Sequence, residues 1–143
     1  MMKLPFDIDL KGKVAVVTGG GGVLCGMFAK ALASCGAKVA ILDLRKEAAD
    51  AVADEIKADG GTAIGVCANV LSRESLEEAK KQVNNAFGTC DILLNGAGGN
   101  NPRGTTTKEY YEIGDEDKED LVSFFDLDPD GVSFVFGLNF MGT

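Results

Sequence analysis

Residues 14–26 read VAVVTGGGGVLCG, and this stretch decides the fold. Val14–Thr18 is a short, largely β-branched run, the pattern of a strand buried on both faces of a parallel sheet. Four glycines follow at once, from Gly19 to Gly22. Beyond them Val23, Leu24, Met27, Phe28, Ala31, Leu32 and Cys35 recur at helical spacing, and Gly36 ends the run. Strand, glycine turn and helix in immediate succession let backbone N–H groups approach an anion with no Cβ in the way. The helix N-terminus adds its partial positive charge.

The same rhythm repeats downstream. Residues 39–43 (VAILD) predict a second strand, 46–59 a helix burying Ala49, Val52, Ala53 and Ile56, and 62–68 a third strand. Ser72 is placed to cap a third helix with Leu76, Ala79, Val83 and Phe87 as its buried stripe, and Gly88 ends it. Residues 91–95 (DILLN) predict a fourth strand. This alternation predicts an α/β fold, a Rossmann-type doubly wound parallel sheet with helices on both faces. Past Gly99 the rhythm breaks. Residues 100–127 read as a polar, acidic insertion with an apolar cluster at 121–125 and a short helix near 117–125. Asp128-Pro129 then starts a helix, Asp as cap and Pro in first position, with Val132, Val135, Phe136 and Asn139 near one face. No repeat or linker divides residues 1–143, so a single, partial dinucleotide-binding domain is expected, truncated after about four strands and the start of the next long helix.

The formal net charge is −8, and the window 108–130, with ten acids and two bases, carries all of it. An acidic chain without a basic patch offers nucleic-acid phosphates no counter-charge. Cys25, Cys35, Cys67 and Cys90 form no CxxC pair, and no His is present to complete a metal site. Free, mostly buried thiols in a reducing compartment are expected. The opening MMKLPFDIDLKGK lacks the apolar run of an export signal, and no stretch reaches membrane-span length, so a cytoplasmic location is expected.

Asp43 ends the second strand 25 residues after Thr18, where a dinucleotide fold places the carboxylate that accepts bonds from the adenosine ribose. Its charge would repel a 2′-phosphate, which favours NAD over NADP. Arg45, two residues on, softens that preference.

These motifs together resemble the short-chain dehydrogenase/reductase family. FDIDLKGKVAVVTGG (6–20) resembles its opening strand, and AILDL (40–44) and ANV (68–70) resemble later segments. DILLNGAG (91–98) resembles its fourth-strand motif, usually Asn-Asn-Ala-Gly. FDLDPDGVSFVFGLNFMGT (125–143) resembles the helix carrying its structural and catalytic Asn. Thr18 and Gly19 match the start of the family's Thr-Gly-x-x-x-Gly-x-Gly turn, whose second and third glycines fall here on Val23 and Cys25. Gly22 and Gly26 lie one residue away. Asn69 stands where the family usually has an Asp facing the adenine amino group, and an Asn carbonyl can accept the same bond. Asn95, Ala97 and Gly98 match the fourth-strand motif, with Gly96 in place of its second Asn. Asn139 matches the catalytic-site Asn that holds a water in the family's proton relay.

TGGGGVLCG (18–26) with NGAGGNNPRGTT (95–106) is similar to the sugar-acid branch of that family, the D-mannonate oxidoreductase (fructuronate reductase) branch. The resemblance implies NAD-dependent hydride transfer to or from a sugar acid by a homo-oligomer, dimer or tetramer. It also implies cofactor contacts at Thr18, Gly19, Gly22, Val23 and Leu24, at Asp43 and Leu44, at Asn69 and Val70, and at Asn95, Gly96, Ala97 and Gly98. The family's chemistry needs a Ser and a Tyr-x-x-x-Lys pair, whose Lys lowers the Tyr pKa. Four residues after Tyr110 and Tyr111 stand Gly114 and Asp115, so this chain is expected to hold cofactor without turnover on its own. A noncatalytic dinucleotide-binding or sensing module is the alternative.

Arg103 follows the fourth strand closely, and its fork suits a substrate carboxylate. Asp126, Asp128, Asp130 and Gly131 match the first half of a calcium loop. Its twelfth position is Gly137 rather than Glu, so a helix cap is expected there instead.

Overall fold

The computed structural model describes residues 8–143; the opening MMKLPFD, part of the stretch read above for export signals, lies outside them. The chain divides into two compact units, Met1–Ala97 and Gly98–Thr143.

The first unit runs β1 (Val14–Thr18), α1 (Val23–Ser34), β2 (Lys38–Asp43), α2 (Lys46–Ala58), β3 (Thr62–Cys67), α3 (Arg73–Ala86) and β4 (Ile92–Leu94). All pairings are parallel, in the order β3-β2-β1-β4. Every residue of β1 is buried, as its unbroken apolar pattern predicts. Thr18 lies beside Leu42, Val17 beside Leu94 and Asp43 beside Cys67, which lines up the carboxyl ends of the strands. From β1 the chain moves to β2 and β3 on one side, then returns through α3 to β4 on the other. Such a reversal opens a crevice at the carboxyl ends of β1 and β4.

Successive residues of each strand feed opposite cores. Ala15, Val17, Val39 and Ile41 pack with Ala29 and Ala33 of α1 and with Ala49, Val52, Ala53 and Ile56 of α2. Val14, Val16, Ala40, Leu42 and Val66 meet Ala79 and Val83 of α3, with Phe87 at the edge. Each fully buried Val or Ile contributes about 1.5–3 kcal/mol. Of the predicted α3 stripe, Leu76 and Phe87 are only half-buried. Ser72 caps α3 as expected, its Oγ accepting from Ser75 N at 3.3 Å. The fourth strand is shorter than 91–95 because Asp91 has another task. Its carboxylate accepts from Val14 N at 2.9 Å and from Lys13 Nζ at 3.0 Å, and these bonds hold it below the usual carboxylate range.

In the second unit the expected helix near 117–125 does not form. Residues Pro102–Gly104, Asp115–Asp117 and Phe124–Asp126 make single 3₁₀ turns instead. A helix there would set Asp117 and Asp120 three residues apart as like charges in its first turn. Asp115 turns inward instead, its side chain 1% exposed. It accepts from Lys108 Nζ at 2.8 Å, Lys118 Nζ at 2.7 Å and Glu112 N at 2.8 Å. The two lysines first, then the amide, hold its carboxyl well below the usual range.

Asp128 caps α4 (Pro129–Phe136), accepting from Asp130 N at 2.8 Å. The helix does not continue regularly to the end, because Gly137–Met141 widens into a π-helical turn. Gly104 and Gly131 cross closely: a Cβ on Gly131 would lie 2.7 Å from Gly104 N. The cysteines are free, but they are not mostly buried. Cys25 and Cys35 are half-buried, while Cys67 at the end of β3 and Cys90 before β4 are exposed.

Candidate functional site

The glycine turn between β1 and α1 is shaped from below. A Cβ on Gly20 would lie 2.7 Å from Ile41 Cγ2, and one on Gly21 would lie 2.7 Å from Ala48 Cβ and 2.9 Å from Asp43 Oδ2. Gly19 takes φ +63°, a conformation that disfavours any side chain. Gly22 is the N-cap of α1, with no side-chain cap and no acid in the first turn. The amides of Val23, Leu24 and Cys25 find no hydrogen-bond partner among the described residues. An uncapped helix N-terminus behind a side-chain-free turn fits a pyrophosphate. The side chains of Val23 and Leu24 are exposed.

Asp43 stands at the end of β2 beside this turn, its side chain 13% exposed. Oδ2 accepts from Gly21 N at 3.1 Å and Oδ1 from Arg45 N at 3.0 Å. The carboxylate thus braces the turn, and its remaining lone pairs are free for ribose hydroxyls. Arg45 Nε lies 4.0 Å from Asp43 Oδ1, and the neighbouring Leu44 is exposed. After β3, Asn69 Oδ1 accepts from Leu71 N at 3.0 Å and Asn69 N donates to Ser75 Oγ at 2.9 Å. This closed Asx turn fixes the loop and leaves one lone pair on Oδ1. Asn69 is exposed and Val70 half-buried.

Thr18 has a task that its place in the glycine motif does not suggest. It is buried, and its Oγ1 accepts from both Gly96 N and Ala97 N at 3.1 Å. The hydroxyl therefore ties the end of β1 to the exit of β4 across the crevice. Gly19 shares this junction: a Cβ there would lie 2.7 Å from Gly96 O. Cys25 joins them, its Sγ 3.8 Å from Gly96 O. Asn95 is exposed. Sequence reasoning missed both the Thr18 bridge and Cys25. The available signal was that Cys25 and Gly96 depart from the family pattern together.

In the second unit, Asn139 clasps one peptide. Its Oδ1 accepts from Gly99 N at 3.0 Å, and its Nδ2 donates to Gly99 O at 2.8 Å and to Val135 O at 2.9 Å. A Cβ on Gly98 would lie 2.4 Å from Asn139 Oδ1. Arg103 already holds a carboxylate: its Nε donates to Asp128 Oδ2 at 2.8 Å, and Nη2 bonds the same oxygen. Asp126 forms a capping box with Ser123, so with Asp128 as the cap of α4 two of the three acids that mimic a calcium loop serve as caps. Among the described residues no group of three His, Cys, Asp or Glu is arranged for a metal, and no helix is long and apolar enough to cross a membrane.

The chain is similar to several known proteins. An uncharacterized oxidoreductase of Haemophilus influenzae is 47% identical over 142 residues, covering 99% of this chain and 49% of the relative. The Bacillus subtilis oxidoreductase UxuB, also uncharacterized, is 50% identical over 139 residues, covering 97% and 49%. The chain thus spans about half the length of these relatives. A Haemophilus influenzae structure with bound NAD, assigned as a D-mannonate oxidoreductase, superposes with a TM-score of 0.88 at 49% identity, over 94% of this chain and 48% of that one. An Escherichia coli hydroxysteroid dehydrogenase superposes at 0.71 with 26% identity, over 95% and 49%. The short chain dehydrogenase family model matches residues 13–126, and with the parallel sheet, the glycine turn and the acid after β2 in place, the chain belongs to that family.

Proposed function

We propose that the first unit binds NAD, and that the protein serves hydride transfer between the nicotinamide and a hydroxyl or keto group of a sugar acid of the D-mannonate/fructuronate kind. The observation that carries this is the uncapped N-terminus of α1 behind a turn that has no room for side chains, with Asp43 beside it. NAD would supply the hydride acceptor. Gly19, Gly22, Val23 and Leu24 would seat its pyrophosphate, and Asp43 and Leu44 its adenosine ribose. Asn69 and Val70 would flank the adenine. Asn95, Gly96, Ala97 and Gly98 follow β4 toward the nicotinamide half, with Thr18 holding that segment in place. The charge of Asp43 favours NAD over NADP.

The sugar-acid assignment rests on likeness to the Haemophilus influenzae structure. Arg103 suits a substrate carboxylate by exchanging it for Asp128. Asn139, through Gly99, shapes the loop that follows β4. The protein is proposed to work in the cytoplasm as a homo-oligomer. The alternative reading is a noncatalytic dinucleotide-binding or sensing module.

Calorimetric titration with NADH and NADPH tests the cofactor reading. NADH is expected to bind at least about tenfold tighter, a difference of about 1.4 kcal/mol, and Asp43→Asn to narrow the gap. No binding of either nucleotide at millimolar concentration, or a preference for NADPH, overturns it. Turnover of a sugar acid with NAD by this chain would exclude the noncatalytic module.

A further inference from the structure

Cys25 and Gly96 lie 71 residues apart and meet where the first turn of α1 faces the exit of β4. A Cβ built on Gly96 would lie 2.2 Å from Cys25 Sγ, far inside contact distance. The sulfur is the only Cys25 atom among the three nearest to that point; the others are Thr18 O at 3.0 Å and Leu94 Cδ2 at 3.4 Å. The β4 side of this contact cannot yield freely, and the Cys25 side yields only by turning its thiol about one bond. The amides of Gly96 and Ala97 are both held by Thr18 Oγ1. Cys25 belongs to the helical turn whose amides form the anion seat. A side chain at position 96 must therefore turn the Cys25 thiol away from Gly96 O, lift the β4 exit off Thr18 or push the start of α1 outward. Each of these changes reshapes a wall of the crevice.

We infer that Cys25 and Gly96 are a size-matched pair in which the sulfur fills the volume a residue-96 side chain would take. The pair sets the spacing between the start of α1 and the exit of β4, and Cys25 is thereby a positioning residue for dinucleotide binding. This rests on the cofactor site proposed above. It also accounts for the joint departure of these two positions from the family pattern: the position of the turn's third glycine carries a larger residue, and the position of the second Asn carries none.

The test is a cycle of Gly96→Ala in two backgrounds, the parent and Cys25→Ala. Each variant is measured by calorimetric titration with NADH below its melting temperature, and by thermal melting. Gly96→Ala is expected to weaken NADH binding about tenfold or more when Cys25 is present and less than about threefold with Cys25→Ala. Cys25→Ser, which puts an oxygen where the sulfur was, should retain most of the sensitivity, because size and not thiol chemistry is at stake. An effect confined to the melting temperature, with NADH affinity of the folded protein untouched, overturns the positioning role. Equal losses in both backgrounds overturn the pairing, since they would make the Thr18 carbonyl the obstacle. If Gly96→Ala fails to fold beside Cys25 but folds beside Cys25→Ala, the pairing is supported; failure in both refutes it. A parent that binds no NADH refutes the cofactor site instead, and the cycle in melting temperature then decides the pairing.

Discussion

Replacing Thr18 by Val keeps the shape of the side chain and removes one oxygen. That oxygen accepts from Gly96 N and Ala97 N, both at 3.1 Å, on a threonine only 6% exposed. A buried donor left without a partner costs about 1–3 kcal/mol. Two donors are orphaned here, and solvent reaching the exposed Gly96 relieves part of that cost, so a loss of about 2–4 kcal/mol is expected. Thr18→Ser is the control. It keeps the acceptor and loses one methyl, for about 1 kcal/mol. Urea unfolding followed by circular dichroism separates the two. With a slope of about 2 kcal/mol/M, the Val midpoint falls by about 1–2 M and the Ser midpoint by about 0.5 M. Equal midpoints for Val and Ser would refute the bridge, since the only feature that separates their predicted behaviour is the acceptor.

Asp115→Asn removes the charge on which Lys108 and Lys118 converge, and faster limited proteolysis within 98–143 at neutral pH is the expected result; an unchanged cleavage rate contradicts it. The folded Asp115 carboxyl sits well below its ordinary 3.8, so its contribution is present above that value and is lost as pH falls through the lowered one. Lys108 is raised above its ordinary 10.5, so its contribution is present below that value and is lost only as pH rises through the raised one. The protection factors of this segment, with the intrinsic pH dependence of amide exchange divided out, should therefore be flat between about pH 5 and pH 8, and a fall within that window would count against the ion cluster. Gly131→Ala would put a Cβ 2.5 Å from the Arg103 carbonyl carbon. Overpacking of this kind costs about 1–3 kcal/mol, and unchanged amide protection in α4 would show that the Gly104–Gly131 crossing yields freely.

The first unit was legible because its signals are local. VAVVT is buried throughout, and Ala49, Val52, Ala53 and Ile56 mark their helix by spacing alone. The boundary that slipped, at β4, did so because Asp91 accepts bonds from Lys13 and Val14, which no run of hydrophobicity reports. The second unit was harder because its order is electrostatic. Asp115 reaches Lys108 seven residues back and Lys118 three residues on, spacings that would suit a helix in a segment that forms only a single 3₁₀ turn. Asp128 as cap of α4 was readable, since a cap and its helix are neighbours. Arg103 reads as a partner for a substrate carboxylate, whereas its guanidinium here bonds Asp128, a pairing across 25 residues that spacing does not report. At the site, Asp43 beside the glycine turn follows from spacing. The pairing of Thr18 with Gly96 and of Cys25 with Gly96 does not, because it is written in shape across more than seventy residues.

That separation also orders the assembly of the protein. The pairings of β1 with β2 and of β2 with β3 join segments that follow one another through a single helix. The Thr18 bridge must instead bring together groups 78 residues apart. Closing a longer loop costs more chain entropy before any contact rewards it. Loop entropy thus favours a nucleus of β1, α1, β2, α2 and β3, with β4 added afterwards. During synthesis the glycine turn emerges well before the segment it will face. The crevice is in this sense the keystone of the first unit: its two walls belong to opposite ends of the folding sequence, and it takes its final shape only when the last strand arrives.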